Sequence, residues 1–122
     1  MMGKKNVLKD KSFAFALRIV NAYKFLTKEK NEFVLSKQLL RCGTAIGALI
    51  SEAEYAQSIS DFINKMSIAL KEANETEYWL MLLKKSEYID EDVYSSILID
   101  CQELLKLLVS SINTSKKKLN KN

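Results

Sequence analysis

Ser58-Ile59-Ser60-Asp61-Phe62-Ile63-Asn64-Lys65-Met66-Ser67-Ile68-Ala69-Leu70-Lys71-Glu72-Ala73-Asn74-Glu75-Thr76-Glu77-Tyr78-Trp79-Leu80-Met81-Leu82-Leu83 is the stretch that decides the fold. Phe62, Met66, Ala69, Ala73, Thr76, Leu80 and Leu83 alternate in steps of four and three, the spacing of one helix face that packs into a neighbour's seam. A second row, Ile59, Ile63, Leu70 and Trp79, widens that face. Ser58 and Asp61 stand at capping-box spacing, with Asp in place of Glu. Lys84-Lys85-Ser86 closes the segment with cations suited to a helix C-terminus. Tyr78 and Trp79 are adjacent and so roughly 100° apart on a helix, which forces one of them away from the central seam.

Three more segments carry the same period. Before it, near 34–56, Leu39, Gly43, Ile46, Ile50 and Ala53 form a heptad seam. Gly43 and Gly47 each cost about 1 kcal/mol against Ala inside a helix, so their presence predicts that a neighbouring backbone comes close. After it, Asp90-Glu91-Asp92 caps a helix with the row Tyr94, Leu98, Cys101, Leu105, Leu108, Ile112, broadened by Ile97, Leu104 and Leu107. The first segment, near 12–28, shows Phe13, Leu17, Val20 and Tyr23 or Lys24 as its stripe, with Ala16 and Leu26 beside it and Ser12 as N-cap. It breaks at Thr27-Lys28-Glu29-Lys30-Asn31. Short links force antiparallel neighbours. The expected fold is all-α, an antiparallel up-down-up-down four-helix bundle over 12–115. A basic N-terminal arm (1–11) precedes it, and a basic C-terminal tail (116–122) is expected to fray. Apolar faces wider than one core needs point to self-association.

The 122 residues include no Pro and three Gly, which argues against turn-dense β folds. There is no His. A Ser-His-Asp triad and the Glu-x-x-His motifs of paired-metal bundles are therefore out of reach. Glu52, Glu72 and Glu75 remain as carboxylates, with Lys71 one turn from Glu75, and read as a solvated or salt-bridged face. Gly43-Thr44-Ala45-Ile46-Gly47 lacks the Lys-Ser/Thr ending of a phosphate loop. No metal, cofactor or catalytic residue is expected. Cys42 and Cys101 lie far apart in no CxxC spacing and read as buried thiols in the cytoplasm. No run of about 20 apolar residues is present, so no membrane span is expected.

The net charge is +4, unevenly placed: +3 in 1–11, +4 in 12–51, −7 in 52–115 and +4 in 116–122. The basic ends serve either as phosphate-holding arms or as solvated tails. Arg18, Lys24 and Lys28 on the first helix and Lys37 and Arg41 on the second are candidates for one basic, nucleic-acid-binding patch. Arg41 alternatively pairs with Glu52, Glu72 or Glu75. Halves of opposite sign also favour head-to-tail assembly into a ring.

The run Ser36-Lys37-Gln38-Leu39-Leu40-Arg41-Cys42-Gly43-Thr44-Ala45-Ile46-Gly47-Ala48-Leu49-Ile50-Ser51-Glu52-Ala53 is familiar, as are Asp61 to Met66 and Ala69 to Leu80. Together they resemble the four-helix-bundle proteins encoded by intervening sequences of bacterial 23S rRNA genes. That family carries a ribosomal-protein-like label and has accessory proteins of diversity-generating retroelements as a distant branch. The likeness spans roughly 12–112. It implies a barrel-shaped homopentamer, no enzyme activity, and association with rRNA or another nucleic acid. A protein partner such as a reverse transcriptase is the alternative. The matching positions are Arg41, Gly43, Thr44, Gly47, Glu52, Lys71, Glu72, Glu75, Thr76 and Trp79. They imply packing glycines, a polar network between the second and third helices, and an aromatic anchor at interhelix or oligomer contacts. Ala45 and Leu49 replace a Ser and an Asn of the family pattern.

Overall fold

The computed structural model describes residues 6–121; Lys4 and Lys5 of the expected arm and Asn122 of the tail lie outside them. Four helices follow one another: α1 (Val7–Lys28), α2 (Leu35–Ala53), α3 (Ile59–Lys85) and α4 (Glu91–Asn120). Their contacts fix direction. Gly47 of α2 faces Ser12 of α1, and Gly43 faces Ile19. Glu52 meets Lys65 and Arg41 meets Glu72, while Cys101 donates to the Ala73 carbonyl and Lys84 meets Glu91. Along each of these neighbouring pairs one number falls as the other rises, so the helices run antiparallel. Lys11–Glu103 and Arg18–Asp100 close the ring between α1 and α4.

The α2 seam is buried as its spacing requires, and the α3 seam is buried from Met66 to Leu83. In α4 the deepest row is Tyr94, Ile97, Cys101, Leu104, Leu108 and Ile112, with Leu98 and Leu105 packed beside it. The expected caps Ser58 and Asp90 accept from Asp61 N and Val93 N. Asn31, the expected turn residue, adopts φ 53°, which Asn tolerates better than most side chains.

The first helix departs from expectation. It starts at Val7, not Ser12, because the Asn6 side chain takes the Lys9 N–H at 3.0 Å. Lys9 and Lys11 therefore belong to α1. Ser12 is buried and returns its hydroxyl to the Lys9 carbonyl at 3.0 Å. The core face is Ser12, Phe15, Ile19 and Leu26, whereas Phe13 and Leu17 are exposed. Two apolar rows compete on this helix, and packing selects the one that lets α2 approach through its glycines. A Cβ at Gly43 would lie 2.8 Å from Ile19 Cγ1, and one at Gly47 would lie 3.3 Å from the Ser12 carbonyl oxygen.

At the other end α4 continues to Asn120 instead of fraying from Lys116. Lysine is a good helix former, and cations in the last turn suit the macrodipole. The start of α2 was not legible as a cap: Glu32, itself buried, receives the N–H groups of Val34, Leu35 and Ser36 at 3.1, 2.9 and 2.6 Å. Ser36 donates its hydroxyl back to the Glu32 carbonyl at 2.8 Å.

Candidate functional site

The period of α2 places Arg41 on its outer flank, facing α3. One guanidinium nitrogen donates to Glu72 Oε1 at 3.3 Å, another donates to Glu75 Oε2, and Nε donates to Gln38 Oε1 at 3.3 Å. Trp79, one turn below Glu75, donates its indole N–H to the same Oε2 at 3.3 Å. Thr76 is fully buried and gives its hydroxyl to the Glu72 carbonyl at 2.8 Å. The network that the resemblance implies between the second and third helices thus joins Arg41, Glu72, Glu75, Thr76 and Trp79. Tyr78 stacks edge-on against Trp79, centroids 5.1 Å apart, and points outward.

Electrostatics follow the contacts. The Trp79 N–H, against a smaller effect of burial and together with Arg41, holds the Glu75 carboxyl below its ordinary value. Burial alone would lower the Arg41 guanidinium, but Glu75 and Glu72 hold it raised. Burial pushes the Cys42 thiol up, partly offset by Thr76. Burial pushes Cys101 up to about 12. Both thiols are protonated and enclosed, so neither is a nucleophile. No three His, Cys, Asp or Glu side chains among the described residues cluster as a metal site. Nor is any described helix long and apolar enough to cross a membrane.

The remaining candidates disperse. Arg18 reaches α4, donating to Asp100 Oδ2 at 2.8 Å and to Ser96 Oγ at 2.9 Å. Lys24, Lys28 and Lys37 are exposed. Glu52 pairs with Lys65 at 3.4 Å rather than with Arg41. Lys71 is exposed and is not the partner of Glu75, which turns to Arg41. Thr44 returns its hydroxyl to the Leu40 carbonyl at 2.7 Å. Gly43 and Gly47 serve the α1–α2 contact within the chain. Sequence reasoning missed Asp100, which takes Arg18 from another helix and has no local signal. It also missed Glu32, whose signal was its place four residues before Ser36.

Several hollows open on the described surface. Phe13, Ala16, Thr44, Gly47 and Ala48 line a hollow of about 470 Å³ between α1 and α2. A wider groove of about 740 Å³ runs between α3 and the second half of α4.

A crystal structure of a protein with unknown function from the S23 ribosomal protein family of Bacteroides thetaiotaomicron superposes with a TM-score of 0.86. It is 65% identical, over 87% of this chain and 98% of that one. No functionally curated protein is similar to the chain. The family described as 23S rRNA-intervening sequence protein matches residues 4–110, almost the whole bundle with its α2–α3 network. With that match and that neighbour, the chain belongs to the 23S rRNA-intervening sequence protein family.

Proposed function

We propose that this protein is a non-enzymatic cytoplasmic module that works by assembly, copies of the bundle associating through faces the single chain leaves uncovered. The observation that carries this reading is the outer row of α1. Phe13 is 66% exposed and Leu17 52%, and Phe13 lines the hollow that Gly47 and Ala48 also line. Exposed apolar contact area of this kind on a small chain is a mark of a binding surface. The complementary face is on the acidic half, where Tyr78, Met81 and Ile99 are exposed. A contact between unlike faces generates a ring when its rotation closes, and the family resemblance suggests five copies. Sedimentation velocity tests the reading. The wild type should run as a multiple of its 14.0 kDa mass, and Phe13→Lys with Leu17→Lys should release monomer of unchanged helicity. A wild type that stays monomeric at high concentration rejects it.

Nucleic-acid binding is the second reading, favoured by lysines that no carboxylate engages. Lys24, Lys28 and Lys37 have no ion-pair partner among the described residues, whereas Arg18 and Arg41 are held by Asp100 and by Glu72 and Glu75. Binding to rRNA fragments that weakens between about 50 and 200 mM salt would support it, and an absent or salt-independent response would remove it.

A further inference from the structure

The groove between α3 and α4 has an unexpected charge. Residues 52–115 carry net −7, yet the antiparallel pairing sorts that charge along the axis. The α4 carboxylates stop at Glu103, and α3 has none between Asp61 and Glu72. Because Cys101 lies against Ala73, the acid-free stretch 62–71 of α3 runs beside 104–112 of α4, and α4 then continues past the start of α3 to a hollow that Glu54, Ser115 and Lys118 line. Residues 104–121 hold five lysines and no carboxylate.

Leu70, Leu105 and Val109 floor the groove, and Lys106 and Lys117 stand on its rim with Asn74 and Asn113. Among the described residues neither rim lysine has a carboxylate partner and neither amide is hydrogen-bonded. Lys106, Ser110, Asn113, Lys117 and Lys121 step by four, three, four and four, so they form one stripe along α4. Lys106 and Lys117 are about 16 Å apart along the axis at 1.5 Å per residue. Lys117 lies within α4, which continues to Asn120.

We propose that this groove binds a nucleic-acid strand, its rim lysines on phosphates about two to three nucleotides apart, the Asn74 and Asn113 amides on sugar or phosphate oxygens, and its apolar floor under a base or ribose. Cations spaced along a polar stripe suit a polyanion. The apolar floor gives an unpaired base a surface to cover. The proposal rests on the nucleic-acid reading and moves its face from α1 and α2 to α3 and α4.

The test is fluorescence anisotropy of the full chain with a short labelled RNA strand, across about 50 to 200 mM salt. Lys106→Glu with Lys117→Glu should weaken binding at least about tenfold and flatten the salt slope by at least about 0.7 per lysine, with the circular dichroism unchanged. Asn113→Ala should weaken binding without altering the slope. Lys24→Glu with Lys28→Glu should have a smaller effect than the groove pair. The placement is overturned, and the nucleic-acid reading kept, if the α1 pair matters as much or more. It is also overturned if polyglutamate binds as tightly as the RNA. Both fall if no strand binds at low salt.

Discussion

Gly43 and Gly47 sit one turn apart on the same helix, yet the structure separates them. Either glycine replaced by Ala gains about 1 kcal/mol of helix propensity. At Gly43 the new methyl would come within 2.8 Å of Ile19, a side chain with no exposure and no room to retreat. Overpacking of this kind costs about 1–3 kcal/mol, so G43A should lower the urea midpoint. At Gly47 the neighbour is a carbonyl oxygen 3.3 Å away, and G47A should change stability by less than about 1 kcal/mol. Trp79 is half-buried, so Trp79→Ala should cost about 2 kcal/mol, below the range for a fully enclosed ring. Arg41→Ala should cost less than about 1 kcal/mol, because its guanidinium side chain is half exposed and solvent screens its pairs. Cys42 and Cys101 should resist alkylation in the native protein at mildly alkaline pH and react at once in denaturant. Rapid native labelling would contradict their burial. That Arg41 faces α3 was one of two readings open in the sequence, since Glu72 and Glu75 and an external phosphate suit a guanidinium equally.

Two helix starts were legible from a local side-chain cap, whereas Asn6, which caps α1 at the same spacing, was passed over for Ser12. Ser58 and Asp90 lie next to the groups they satisfy, so spacing alone found them. Glu32 escaped because a carboxylate can reach three N–H groups only when the preceding turn folds back, here through Asn31 at φ 53°. Burial raises the Glu32 carboxyl, but the Leu35, Ser36 and Val34 N–H groups outweigh it and hold the carboxyl below its ordinary 4.5. A depressed folded value means that the stabilisation is full above pH 4.5. It is lost as pH falls through the lower folded value. Glu32→Gln should therefore reduce stability by about 1–2 kcal/mol at neutral pH. It should also make the acid limb of the stability–pH curve shallower. Parallel acid limbs for the two proteins would show that Glu32 is not the titrating cap.

For the whole molecule, an association-driven fold makes the melting temperature rise with protein concentration, because the partner binds only the folded state. Leu17→Lys should abolish that dependence, and a wild-type melting temperature independent of concentration would argue for a lone bundle. The residues alone determined that the described part of the chain is four helices without strands. The 4-3 steps are a property of one face and need no knowledge of the neighbour, and short links leave few topologies. They also determined the glycine approach, because an interior glycine is costly wherever it stands. Tertiary structure decided which of two apolar rows on α1 is the core. Phe13–Leu17 and Phe15–Ile19 have the same period, and only the fit against Gly43 and Gly47 distinguishes them. It likewise decided where charge remains free. Ion pairing joins residues far apart in the chain, as Arg18 with Asp100, and antiparallel packing brings acid-free stretches together that the sequence keeps apart.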